Sequence, residues 1–172
     1  MPVKIPDAAA LTQLTPAEKQ VAEVLVTGVS NIQGAQILKM RTSTFAGHLG
    51  SIGRKFQITG KAGRPARVHA VLASGQVAPP PAPAQVPEFT LGERRLLRAL
   101  AEHPETHDIA RVARVPAAEV RPWVKALVAK AGADNDTHLV GLGHAWGLLG
   151  ARGSQSVSSR DDAPNKTGGA AR

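Results

Sequence analysis

Apolar positions recur with a helical period in two stretches of the chain, Leu14–Gly75 and Phe89–Gly150. The first opens with Thr15-Pro-Ala-Glu18. A hydroxyl cap, a proline at the first helical position and a glutamate three residues after the cap predict a helix start there. Val21, Val24 and Leu25 then mark one apolar face, and Gly28 ends the helix. Ser30-Asn-Ile-Gln33 is a second capping box, with Ile32, Ala35 and Leu38 as inward candidates. A turn at Met40-Arg41 leads to a third helix carrying Phe45, Leu49, Ile52 and Phe56. A fourth is predicted over Pro65–Ser74 around Val68, Val71 and Leu72.

The second stretch repeats this pattern at an offset of 75 residues, without a gap from Leu14 to Ile58. Thr90-Leu-Gly-Glu93 supplies the cap and glutamate, and Leu96, Leu97 and Leu100 the first apolar face. His103-Pro104 ends that helix, and Ile109, Val112 and Ala113 face inward on the next. Val115-Pro116 makes the turn, and Val120, Val124, Leu127 and Ala131 follow. A last helix over His138–Leu149 carries Leu139, Leu142, Trp146 and Leu149. His48, and Trp123 in its place in the repeat, are expected to pack between helices.

Between the stretches runs QVAPPPAPAQVPE, residues 76–88, which is incompatible with a helix interior and predicts extended polyproline II. Residues 1–13 are expected to form a flexible arm, and the Gly/Ser-rich residues 151–172 a disordered tail. The expected fold is therefore all-α: two small four-helix helix-turn-helix domains, 14–75 and 89–150, joined by a Pro-rich linker.

The run from Leu14 to Ile58 resembles the LuxR-type (GerE) DNA-binding domain. The matching features are LTPxE at its start, the Gly28-Val-Ser-Asn31 turn, the Ala35–Leu38 spacing, Thr44-Phe45, His48, Ile52 and Lys55-Phe56. The run DIARVARVPAAEVRPWVKALVAKAGA resembles the same domain. The resemblance implies that each third helix enters the major groove of duplex DNA. Ala46, Gly47 and Gly50 would then face bases in the first copy, and Arg121, Pro122 and Lys125 in the second. It also implies dimerisation through the fourth helix, where Val68 and Leu72, or Leu142 and Trp146, stand. Two copies in one chain would allow a homodimer or an intramolecular pseudo-dimer.

Charge separates the halves. The chain carries +8 overall, and +6 of it falls on Leu14–Gly75, whereas Glu88–Gly150 is neutral. Such an excess favours a polyanionic partner. Lys39, Arg41, Thr42, Thr44, Ser51, Arg54 and Lys55 are the phosphate candidates of the first copy; Arg121, Lys125 and Lys130 supply donors in the second. Each departs from a reading helix in its own way. Gly47, Gly50 and Gly53, three apart and expected on one helical face, offer no side-chain bond to a base, which fits either close backbone approach or a helix that no longer reads DNA. Pro122 kinks the second copy's helix if Pro116 is its cap, or opens that helix if it starts near Arg121.

Other chemistry finds little footing. The absence of cysteine removes thiolate nucleophiles, disulfides and Cys-ligated metals. His103 and His107 are split by Pro104 at a helix boundary and make no metal motif. No phosphate loop or nucleophile motif occurs, so neither enzyme, cofactor nor metal is expected. No apolar run is long enough to span a bilayer and the N-terminus is not a signal peptide, so the expectation is a cytoplasmic, nucleoid-associated protein. Three functions follow: a transcriptional regulator on duplex DNA, a sequence-independent nucleoid-type DNA binder, or a protein-interaction adaptor using a Leu142/Trp146 surface on the second domain. An extended linker of about 12 residues would reach roughly 35–40 Å at about 3.1 Å per residue, close to half-sites about 34–36 Å apart.

Overall fold

A computed structural model describes residues 13–58 and 63–150. The expected tail, and all of the expected arm but Gln13, lie outside the described residues. The fold is all-helical. Four helices form the first half: α1 (Pro16–Leu25), α2 (Asn31–Ile37), α3 (Thr42–Lys55) and α4 (Arg64–Ala73). Four more form the second: α5 (Leu91–Glu102), α6 (Thr106–Ala113), α7 (Ala117–Ala131) and α8 (Asp136–Ala145).

Local hydrogen bonding explains where helices start. Thr15 and Glu18 cap α1 reciprocally: the Thr15 amide donates to the Glu18 carboxylate at 2.8 Å and the Glu18 amide to the Thr15 hydroxyl at 3.3 Å. Thr90 and Glu93 do the same for α5 at 2.9 and 3.2 Å. Each glutamate also holds a lysine from the end of the third helix of its own half. Lys55 Nζ lies 2.5 Å from Glu18, and Lys130 Nζ 2.7 Å from Glu93.

The helix-turn-helix corners are duplicated as well. Lys39 (φ 53°) and Arg114 (φ 60°), 75 residues apart, both take the left-handed conformation. The next amide closes each corner, Met40 N–H to Ala35 O and Val115 N–H to Ala110 O, both at 3.0 Å. The register then shifts. Residues 56–63 join α3 to α4, while α7 runs one residue longer than α3 and only 132–135 join α7 to α8. The helix-ending glycines Gly75 (φ 74°) and Gly147 (φ 73°) are accordingly 72 residues apart rather than 75.

One apolar core runs through both halves, from Leu25, Phe45 and Ile52 to Leu96, Leu97 and Leu139. The fourth helices, α4 and α8, pack against each other, and α4 also packs on α5. At that joint His69 Nδ1 of α4 lies 2.9 Å from His144 Nε2 of α8. Asn135, the cap of α8, donates to Gly28 O of the first half at 2.6 Å. Both Gly28 and Gly141 are needed here: a β-carbon on Gly28 would meet His138 at 2.6 Å, and one on Gly141 would meet Val26 O at 2.5 Å.

The Pro-rich segment is free of helix, in line with its sequence, but it is pinned along its length and is not an open spacer. Gln76 Oε1 accepts from the Leu14 amide at 2.7 Å. Val77 and Pro80 are buried, Pro80 beside Gly141. Trp146 Nε1 donates to Pro83 O at 3.0 Å while its ring packs on Phe89 with centroids 6.0 Å apart. A linker reaching across separated half-sites would have to break these contacts.

Two packing expectations are corrected. Ile32, expected inward, is 61% exposed, because Gly34 rather than Ile32 meets α3: a β-carbon on Gly34 would run into the Phe45 ring. Trp123, expected between helices, is 46% exposed and stands beside a groove with Leu96 and Ala126.

Candidate nucleic-acid interface

In the first half α3 is held from behind and open in front. Phe45, Leu49 and Ile52 are buried against α1 and α2. Opposite them Ser43, Gly47 and Arg54 are exposed and Ser51 half-buried, at the i, i+4, i+8, i+11 spacing of one helix face. Ser43 is absent from the residue-type candidates; a helical wheel centred on Gly47 is the signal that finds it. Arg54 Nη2 donates to the Ser51 hydroxyl at 3.0 Å. Thr42 and Thr44 are exposed in the first turn, and Arg41 precedes it without a capping bond from its side chain. The first-turn amides therefore lack a side-chain acceptor and suit an anion such as phosphate. Lys39 is exposed at the corner.

Lys55 is placed differently. Its ammonium bridges Glu18 and the Gln13 carbonyl, the latter at 2.9 Å. Burial raises the Glu18 carboxyl, but the Lys55 ammonium and the Thr15 amide outweigh it and bring the group below its ordinary value. Glu93 is lowered first by Lys130 and then by the Thr90 amide. The two lysines thus tie the third helix of each half to its first.

The three glycines of α3 also part company. Nothing stands within 4 Å of a β-carbon on Gly47, and only Arg54 approaches one on Gly50. Gly53 faces inward, where a β-carbon would meet Ile58 O at 2.5 Å. Three-residue steps rotate by about 60° per step, so Gly47 and Gly53 cannot share a face.

In the second half Pro116 caps α7, so Pro122 lies inside the helix at its sixth position, the first of the two alternatives open in the sequence. The face matching Ser43, Gly47, Ser51 and Arg54 consists of Ala118, Pro122, Ala126 and Ala129, all exposed. None offers a side-chain hydrogen bond. Arg121 and Lys125 are exposed at one edge of that face. Ala46 and Gly50, their counterparts in α3, are exposed and half-buried.

The fourth-helix candidates lie within the molecule. Val68, Leu72 and Leu142 are buried and Trp146 is half-buried under the Pro-rich segment. Arg64, at the start of α4, donates to Asn31 Oδ1 at 2.9 Å and to Val29 O at 2.8 Å, anchoring α4 to the turn before α2. Among the described residues no cluster of three or more His, Cys, Asp or Glu could hold a metal ion, and no helix is long and apolar enough to cross a membrane.

No curated protein and no solved structure matches the chain. Residues 12–63, spanning α1 to α3 and the exposed face just described, match the GerE model of bacterial regulatory proteins of the luxR family, and this match supports a DNA-binding transcription regulator.

Proposed function

We propose that the protein is a transcriptional regulator that binds duplex DNA through an unequal pair of helix-turn-helix units, folded together as a pseudo-dimer within one chain. The observation that carries this is the contrast between two equivalent faces. Ser43, Ser51 and Arg54 on α3 can bond phosphates or bases, flanked by Arg41, Thr42, Thr44 and Lys39. Ala118, Pro122, Ala126 and Ala129 on α7 cannot. The first unit holds the DNA; the second contributes Arg121 and Lys125 at its edge and supports the first through α4 and α8. The reading of residues 89–150 as a second unit rests on the repeated capping boxes, ion pairs and left-handed corners.

Salt titration of full-length protein against selected and random duplexes tests this. Arg41→Ala with Arg54→Ala should lower the salt slope by about 2 and weaken binding on every sequence. Arg121→Ala with Lys125→Ala should cost less affinity and relax sequence preference. Unchanged binding in the first pair overturns the assignment.

A second reading is favoured by Gly47, which places bare backbone at the centre of the exposed face. It makes the protein a nucleoid-type binder indifferent to sequence. Equal affinity for all duplexes with a steep salt slope would select it over the regulator.

A further inference from the structure

The second half carries an open cleft of about 490 Å³ between α5, α6 and α7, bordered by Pro65 at the start of α4. Its walls are aliphatic: Leu100, Ile109, Val120, Val124 and Val128. Its edge is cationic, formed by Arg121 and Lys125 one turn apart on α7. Both are exposed, and neither bonds or pairs with a described residue. Two carboxylates also line it: Asp136 faces the Arg64 guanidinium, and Asp134, whose amide donates to His138 Nδ1 at 3.1 Å, keeps its carboxylate in solvent. The volume lies within the range of about 300–1,000 Å³ that holds small ligands.

We propose that this cleft binds a small amphipathic carboxylate. The carboxylate sits on Arg121 and Lys125, which match it in charge and supply hydrogen-bond donors. The apolar body lies along Val120, Val124 and Ile109, which a bare phosphate could not use. The cleft also touches the joint between the halves. Asn135, in its wall, is the residue that donates to Gly28 O of the first half. An occupant therefore stands where it can bias the docking of the two halves, whatever DNA the first half binds.

Decanoate titrated into full-length protein carrying labelled Ile and Val methyl groups, without DNA, tests the site by NMR. Saturable shifts at Ile109, Val120 and Val124 are expected. Arg121→Ala with Lys125→Ala, both exposed, should keep the fold and weaken decanoate about tenfold or more, the loss of a charge-assisted bond. Decanol should bind correspondingly weakly. Unmoved cleft methyls below the micelle concentration, shifts confined to other surfaces, or equal binding of decanol or decylammonium would overturn the proposal. Because no DNA is present, its failure leaves the DNA-binding assignment standing.

Discussion

His69 and His144 meet ring to ring, 2.9 Å apart between nitrogens, on the two helices that join the halves. At that distance one nitrogen donates and the other accepts, so at most one ring carries a proton on the facing side. Burial lowers His69, with Glu102 opposing and Arg98 assisting; burial and then the His69 charge push His144 down to about 4.

This pair predicts an acid-sensitive joint. Unfolded histidines take up protons near their ordinary value of 6.5, while the folded pair resists. Between about 4 and 6.5 the unfolded chain binds more protons, so stability must fall as pH drops through that window and level off below it. Thermal melts from pH 7.5 to 4.5 should show a declining Tm. His144→Leu should flatten the decline that belongs to this pair. A variant melting curve with the same pH slope as the parent would sink the assignment.

The neighbouring basic residues Arg54 and Lys55 should separate by readout. Arg54 is exposed, and its only bond among those described is to Ser51. Arg54→Ala should leave the unfolding free energy within about 0.5 kcal/mol of the parent's and reduce the salt slope of DNA binding by about 1. Lys55→Ala strips a buried carboxylate of its partner, with the Glu18 side chain only 7% exposed, and should destabilise by about 1–3 kcal/mol. Lys130→Ala should cost about 1 kcal/mol or less, since Glu93 is 31% exposed. Because the folded Glu18 is lowered, its stabilisation is present above about 4.5 and fades as pH falls through the folded value.

Three glycine-to-alanine changes should give opposite signs. Gly47→Ala meets open space and should stabilise α3 by about 1 kcal/mol. If the α3 backbone approaches DNA closely there, the same change weakens DNA binding while raising Tm. Gly34→Ala and Gly53→Ala should both lower Tm, the first by forcing the Phe45 ring away from α2 and the second by crowding the Ile58 carbonyl. Calorimetry on the three variants reads all signs together.

The sequence by itself determined what local chemistry controls. Thr15 with Glu18, Ser30 with Gln33 and Thr90 with Glu93 start helices because cap and partner are three residues apart. The apolar spacing of Phe45, Leu49 and Ile52 chose the buried side of α3, and prolines kept residues 76–88 out of helix. The exposure of Ile32 was not legible, because a neighbouring glycine, not the largest apolar residue, sets how closely α2 meets α3. Nor was the engagement of Lys55, whose partner Glu18 lies on a different helix. Only the tertiary structure decided how the halves meet. The α7–α8 connection is four residues shorter than the α3–α4 connection and α7 is one residue longer than α3, which together move the repeat from a register of 75 to 72 and set which residues of α4 and α8 face each other. Contacts such as His69 with His144, or Trp146 with Pro83, join residues more than 60 positions apart. They depend on the path of the whole chain, which no local pattern encodes.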